Sequence, residues 1–144
     1  MYDTILVPTD GSPESLTAVD EAADLASALD ADLVALYVVD TRDYATLPET
    51  KWVTLAEELE QAGERALAKV EKRADEHDVP VSTTVVRGVP HESILEYADE
   101  AGADAIVMST HGRTGIDRFL LGSVTERVIR SADLPIVVVG AGED

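Results

Sequence analysis

The chain has 144 residues, of which 45% are hydrophobic and none is cysteine. This size and composition are typical of one globular domain and too apolar for a disordered chain. The lack of cysteine excludes disulfides, thiolate metal sites and cysteine nucleophiles. Twenty-nine acidic residues against 11 basic ones give a net charge of −18, and such a surface disfavours nucleic acid because it repels the phosphate backbone.

The acidic balance also bears on the environment of the protein. Only three basic residues are lysines, and the acids are spread over every predicted helix rather than gathered in a tail. Self-repulsion of this kind is screened by salt, which favours a salt-rich cytoplasm, as in a halophile, over an ordinary acidic protein. No apolar run exceeds Leu33 to Val39, and the amino terminus enters a strand directly. We therefore expect no membrane span, no signal peptide and a cytoplasmic location.

Short apolar runs alternate with helical patterns along the chain, which predicts a parallel α/β sheet in a single domain over residues 1–144. Their continuous apolar character fits strands covered on both faces. The predicted strands are Thr4–Val7, Asp32–Val39, Val81–Val86, Ala105–Ser109 and Pro135–Val139.

Helix-boundary residues delimit four helices. Ser12 and Pro13 supply a cap and a first-turn proline for the first helix, and S-V-T-E at Ser123 predicts a capping box for the last. The one long connection is Thr41 to Thr50. The helices are expected from Pro13, over Lys51–His77, over Pro90–Ala101 with a stop at Gly102, and from Ser123.

A glycine-rich stretch follows the fourth strand: S-T-H-G-R-T-G-I-D-R-F-L-L-G-S, from Ser109 to Ser123. Gly112 and Gly115 allow a tight turn that brings backbone N–H groups close to a ligand. Gly122 and Ser123 place further N–H groups at a helix amino terminus, where an anion is favoured. The chain has no G-x-x-x-x-G-K-[ST], so the stretch predicts a phosphate site other than an ordinary P-loop.

This stretch resembles the G-x2-G-x9-G-[ST] motif of nucleotide-binding members of the universal stress protein family. Ser109, Gly112, Gly122 and Ser123 match its positions, with Arg113 to Leu121 as the spacer and Ser in place of the first Gly. Two further segments resemble the opening strand and loop and the third strand of the family: I-L-V-P-T-D-G-S at Ile5–Ser12, and R-G-V-P-H-E-S-I-L-E-Y-A at Arg87–Ala98.

The resemblance implies a Rossmann-like open sheet of five parallel strands, in the order 3-2-1-4-5, with helices on both faces. The winding reverses between the first and fourth strands, and ligands lie at such a reversal. It further implies ATP as ligand, with Mg²⁺ or Mn²⁺, the adenine near the first two strand ends and the phosphates on the glycine-rich stretch. The candidate nucleotide-binding residues are Pro8, Thr9, Asp10, Val38, Met108, Ser109, His111, Gly112, Arg113, Gly122, Ser123, Val124 and Thr125.

Each candidate also has a purely structural interpretation. Asp10 is suited to a ribose or adenine contact, and equally to forming the turn in T-D-G-S. Ser123 is suited to a phosphate, or to Mg²⁺ bound by phosphate, and also to capping its helix. Arg113 has phosphate or neighbouring carboxylates as partners. For Pro8 and Val38 the alternative is strand-end packing.

The last strand, Pro135 to Val139, ends the sheet and carries no charge, so it invites pairing with another chain. Family members dimerise through this strand, and we expect a homodimer; the alternative is an edge covered by the acidic tail. The expected function is an ATP-dependent switch in the stress response. The alternatives are a dimeric interaction module that binds no nucleotide and a slow ATPase in which only His111 and Arg113 are suited to act. No catalytic residue is assigned.

Overall fold

All five apolar runs form parallel strands in the computed structural model, which describes residues 2–44, 47–110 and 122–140. The strands are β1 (Thr4–Thr9), β2 (Asp32–Asp40), β3 (Val81–Gly88), β4 (Ala105–Ser109) and β5 (Ile136–Val139). The first strand runs two residues further than the sequence predicts, through Pro8 and Thr9. The last starts one residue later, at Ile136, after the carbonyl of Pro135 accepts a hydrogen bond from the Ile106 N–H at 3.0 Å.

Helices connect the strands: α1 (Pro13–Leu29), α2 (Glu49–Glu76), α3 (Pro90–Ala101) and α4 (Ser123–Ser131), with a short 3₁₀ turn at Thr41–Tyr44. The predicted cap of α1 is confirmed, since the Ser12 side chain accepts the Ser15 N–H at 3.1 Å. The stop of α3 is confirmed as well, because Gly102 has φ +68°, a left-handed conformation that glycine adopts without strain. Among the described residues, none of the helices combines the length and apolarity needed to cross a bilayer.

The capping box predicted at Ser123 is wrong. Gly122 is the N-cap of α4, with extended φ −62° and ψ 153°, and no side chain caps the helix there. Because Ser123 is already the first helical residue, its side chain does not occupy the capping position. Both Gly122 and Ser123 are residue types found at N-caps, and in this structure Gly122 occupies the N-cap position.

The sheet order β3-β2-β1-β4-β5 confirms the predicted topology. Successive residues of the central β1 point to opposite faces: Ile5 and Val7 join the core under α1 and α2, and Leu6 joins the core under α3 and α4. Both cores consist mainly of buried aliphatic side chains, which explains why the strands read as continuous apolar runs. The chain is a single α/β domain with helices on both faces of the sheet.

Asp104 joins the starts of β1 and β4. Its carboxylate oxygen Oδ2 accepts the N–H groups of Asp3 and Thr4, at 2.7 and 3.0 Å, and its own N–H donates to the Thr4 carbonyl at 2.8 Å. The backbone hydrogen bond from Asp3, followed by that from Thr4, holds the pKa of Asp104 below its usual value. The carboxylate therefore stabilises the folded chain in its ionised form.

We predict that Asp104→Asn lowers the melting temperature at neutral pH and weakens the acid dependence of stability. Because the folded-state pKa is depressed, the contribution of Asp104 is present above its unfolded pKa of about 3.9 and is lost as the pH falls through the folded pKa. Thermal unfolding from pH 7 to pH 2 measures both effects. Asp99→Asn, an exposed residue near the end of α3, is the control for charge alone; an equal loss in both variants would contradict the prediction.

Candidate functional site

The sheet opens where β1 ends. β1 pairs with β4 only at Ile5–Ala105 and Leu6–Ile106, although β4 continues to pair with β5 as far as Ser109–Val139. Pro8 has no N–H with which to extend the ladder. On the other side, β2 runs three residues beyond Tyr37, the last residue paired with β1. The ends of β2 and β4 thus form two walls of a crevice over the end of β1, at the predicted reversal of winding.

The turn after β1 is held by its own hydroxyl groups. Ser15 Oγ donates to the Ser12 carbonyl at 2.8 Å, so its single proton is used, and Thr9 Oγ1 must be the donor in the 2.7 Å bond between the two hydroxyls. Thr9 Oγ1 also accepts the Gly11 N–H at 3.1 Å. Gly11 has φ +84°, and a Cβ there would lie 3.3 Å from Ala66 Cβ on α2. The turn is therefore fixed in shape and packed against a helix.

Asp10 occupies the mouth of the crevice, directly after β1. Its Oδ1 accepts the Ser12 N–H at 2.9 Å, which confirms the turn-forming interpretation. The side chain is half-buried. This bond fixes the orientation of the carboxylate at the carboxyl end of the central strand.

A second fixed carboxylate stands at the end of β2 and was missed from the sequence. Asp40 accepts two parallel bonds from the Arg42 side chain, Nε to Oδ1 at 2.9 Å and Nη2 to Oδ2 at 2.8 Å, and also the Arg42 N–H at 3.0 Å. The bidentate geometry orients both groups at the rim of the crevice. The sequence signal was D-x-R immediately after a strand.

The first turn of α4 presents backbone donors. Gly122 N–H, which the sequence assigns to an anion, instead donates to the Thr110 carbonyl at 2.6 Å. The first bond of the helix itself runs from Glu126 N–H to the Gly122 carbonyl at 2.9 Å. The N–H groups of Ser123, Val124 and Thr125 precede that bond and have no side-chain cap, so they form a set of donors at the positive end of the helix dipole.

Thr125 attaches this helix end to the sheet. Its buried hydroxyl donates to the Ser109 carbonyl, the last residue of β4, at 2.9 Å. The Thr110 N–H bonds to the Val139 carbonyl at 2.9 Å, which ties the same strand end to β5. The position of the α4 donors is thus set by two strands.

The remaining candidates divide into packing residues and residues outside the described ranges. Met108 is buried in the core under α3 and α4, and Val38 packs against that core from the end of β2. Pro8 lies within β1 opposite Leu36. The described candidates lie on four segments at one edge of the sheet: the ends of β1, β2 and β4 and the start of α4. His111, Gly112 and Arg113 lie outside the described residues.

Over the part of the chain that the structure describes, no cluster of three or more His, Asp or Glu side chains is suited to hold a metal ion. The described part of the crevice offers backbone N–H groups, which donate hydrogen bonds, and oriented carboxylates, which accept them. This combination suits a ligand with an anionic end and a hydroxyl-bearing end.

A parallel sheet with this strand order and helices on both faces defines a doubly wound, Rossmann-like α/β fold. The model of the universal stress protein family matches residues 1–140, and the chain belongs to that family. Universal stress protein MJ0531 of Methanocaldococcus jannaschii is 46% identical over 140 residues, which cover 96% of this chain and 82% of the relative.

Solved structures agree with the fold. That of hypothetical protein MJ0577, also of Methanocaldococcus jannaschii, superposes with a TM-score of 0.88 at 30% identity and covers 100% of this chain and 99% of its own. A universal stress protein in complex with cAMP superposes with a TM-score of 0.74 at 28% identity, with 98% of each chain covered.

We predict that Thr125→Val destabilises the protein by about 1–3 kcal/mol, because it leaves the buried Ser109 carbonyl without its donor. Chemical denaturation measures the loss. Thr125→Ser keeps the hydroxyl and is the control, with a smaller loss expected. Equal stability of the valine and serine variants would show that the hydroxyl does not hold α4 to β4.

Proposed function

We propose that this protein is an ATP-binding, dimeric universal stress protein of the cytoplasm, in which the bound nucleotide acts as a switch on the dimer or on a protein partner. The observation that carries the proposal is the set of backbone donors at Ser123, Val124 and Thr125, held at the point where β1 and β4 part. The cAMP complex of a relative supports a nucleotide as the ligand class.

The phosphates are assigned to the start of α4. Three consecutive N–H groups and the helix dipole favour a multiply charged anion without a lysine. Gly122 contributes by the absence of a side chain beside these donors, since its own N–H is already bonded to Thr110. In the family motif Gly112 and Arg113 would complete the loop around the phosphates.

The sugar and base are assigned to the other wall of the crevice. The Asp10 carboxylate accepts hydrogen bonds from ribose hydroxyls while its Oδ1 keeps the turn bond to Ser12. The hydrogen-bonding edge of adenine is assigned beside Val38, where the backbone of β2 extends beyond its pairing with β1. Pro8 packs beneath, and Thr9 acts through the shape of the turn because its proton is donated to Ser15.

The divalent ion, Mg²⁺ or Mn²⁺, enters with the nucleotide in this proposal. Phosphate oxygens supply most of its ligands, and the Ser123 hydroxyl is the protein ligand, since it is exposed and is not used as a helix cap. We assign no catalytic residue. A slow ATPase would depend on His111 and Arg113, and an interaction module without nucleotide remains the alternative function.

Isothermal titration calorimetry with Mg-ATP, in molar KCl, tests the proposal. We expect 1:1 binding, and at least a tenfold loss of affinity, about 1.4 kcal/mol, in Gly122→Val, whose side chain would crowd the phosphates. The φ of −62° at Gly122 suits valine, so the variant should fold. Gly140→Val, where an added Cβ meets no atom within 4 Å, is the matched control.

The same titration of the Asp10→Asn variant tests the contact that we assign between Asp10 and the ribose hydroxyls. The amide oxygen preserves the acceptor for Ser12, so stability should be kept while the affinity for ATP falls about threefold to tenfold, because a charged acceptor is replaced by a neutral one. Unchanged affinity would remove Asp10 from the site. No binding of Mg-ATP by the unaltered protein would favour the interaction module.

The dimer is proposed through β5. This strand is an edge of the sheet, and Val138 on it and Ile129 on α4 are 37% and 39% exposed. We predict a dimer by sedimentation velocity and a shift to monomer in Val138→Lys. Val53→Lys, at a 64% exposed position on α2, is the control. A monomeric unaltered protein, or a Val138→Lys dimer, would contradict this interface.

A further inference from the structure

Every α-helix in the part of the chain that the structure describes begins at the crevice edge of the sheet, because each follows the carboxyl end of a parallel strand. Each of the four carries a glutamate in its first turn: Glu14, Glu49, Glu92 and Glu126. A carboxylate at this position offsets the positive end of the helix dipole. The edge that would attract an anion is therefore lined with negative charge.

Other charged groups at this edge do not reverse the balance. Asp10 and Asp40 add carboxylates at the ends of β1 and β2. Two described arginines there bind carboxylates: Arg42 binds Asp40 in bidentate fashion, and Arg87 Nε donates to Glu60 at 2.5 Å. Lys51 is an exposed cation in the first turn of α2, two residues after Glu49, and Arg130 on α4 donates to Glu126 at 3.1 Å. Arg113 and Arg118 lie outside the described residues, and the net charge of −18 already includes them.

The attraction and the repulsion that a bound phosphate would experience at this site act over different distances. The N–H groups at the start of α4 act on a phosphate at contact distance, where mobile ions screen little. The rim carboxylates and the rest of the negative surface act over longer distances, which salt does screen: the Debye length is about 8 Å at 0.15 M and about 3 Å at 1 M. Raising the salt concentration therefore weakens the repulsion between the carboxylates and the phosphate, and leaves the hydrogen bonds from the α4 N–H groups largely unchanged.

We infer that ionic strength gates this site, so that an anionic nucleotide binds tightly only when salt screens the glutamate rim. The inference rests on the proposed function and adds a form of regulation to it. The direction is opposite to that of a site made of lysine and arginine, which loses affinity for phosphates as salt rises. For a protein in a salt-rich cytoplasm, nucleotide occupancy would report intracellular salt.

Calorimetry at KCl concentrations from about 0.15 M to about 1 M tests the inference with two ligands, the dianionic Mg-ATP complex and neutral adenosine. Screening of a doubly charged ligand should raise the affinity for Mg-ATP roughly tenfold across this range, whereas adenosine should change less than about twofold. Circular dichroism at each concentration, on the same samples, restricts the comparison to conditions in which the protein is folded.

Two triple variants of equal charge change locate the effect. The rim variant is Glu14→Gln, Glu92→Gln and Glu126→Gln. The distant variant is Glu76→Gln, Asp99→Asn and Glu100→Gln, at exposed positions near the ends of α2 and α3, on the opposite edge of the sheet. The rim variant should bind Mg-ATP about threefold or more tighter at 0.15 M and show a flatter salt dependence, and the distant variant should resemble the unaltered protein.

The outcomes separate this inference from the proposed function. Affinity for Mg-ATP that is flat or falls with salt would overturn the gating while leaving nucleotide binding in place. Equal effects of the two triple variants would overturn the role of the rim. Binding of neither ligand at any salt concentration would overturn the proposed function and the inference together.

Discussion

The early end of pairing between β1 and β4 is the constraint on which the site depends. β1 and β4 are paired at two positions, Ile5–Ala105 and Leu6–Ile106. Beyond these positions β1 continues to pair with β2, and β4 continues to pair with β5. Pro8 contributes because it removes a donor from the ladder at the point of separation. The helices that follow β1 and β4, α1 and α4, lie on opposite faces of the sheet. The chain therefore leaves the sheet in two directions here, and the gap between the two strands becomes the crevice.

Most side chains around this gap serve the scaffold. The hydroxyls of Thr9, Ser12 and Ser15 satisfy one another and the nearby backbone, and Thr125 satisfies Ser109. Among the described residues, the backbone N–H groups at the start of α4 are the donors that the scaffold leaves at this gap. Backbone donors recognise charge and shape more than the identity of a substituent.

The sequence predicted the fold well because its signals were local and mutually consistent. Continuous apolar runs, a capped first helix and Gly102 after α3 each had one interpretation, and all were confirmed. The failures occurred where two neighbouring residues compete for one role. Gly122 rather than Ser123 caps α4, and Gly122 N–H bonds to Thr110 rather than facing the crevice. The Asp40–Arg42 pair was missed because a bidentate contact depends on a turn that periodicity does not encode.

The structure also explains how Ser109 occupies a position where the family motif has glycine. Ser109 is a regular strand residue, in register with Val139, and its carbonyl accepts the Thr125 hydroxyl. Glycine is needed where the backbone takes a left-handed conformation or where another backbone approaches closely. An extended strand makes no conformational demand of that kind, so serine fits the backbone here without strain. The serine side chain is buried beside the strand, so the space next to β4 at this position accommodates a Cβ and a hydroxyl.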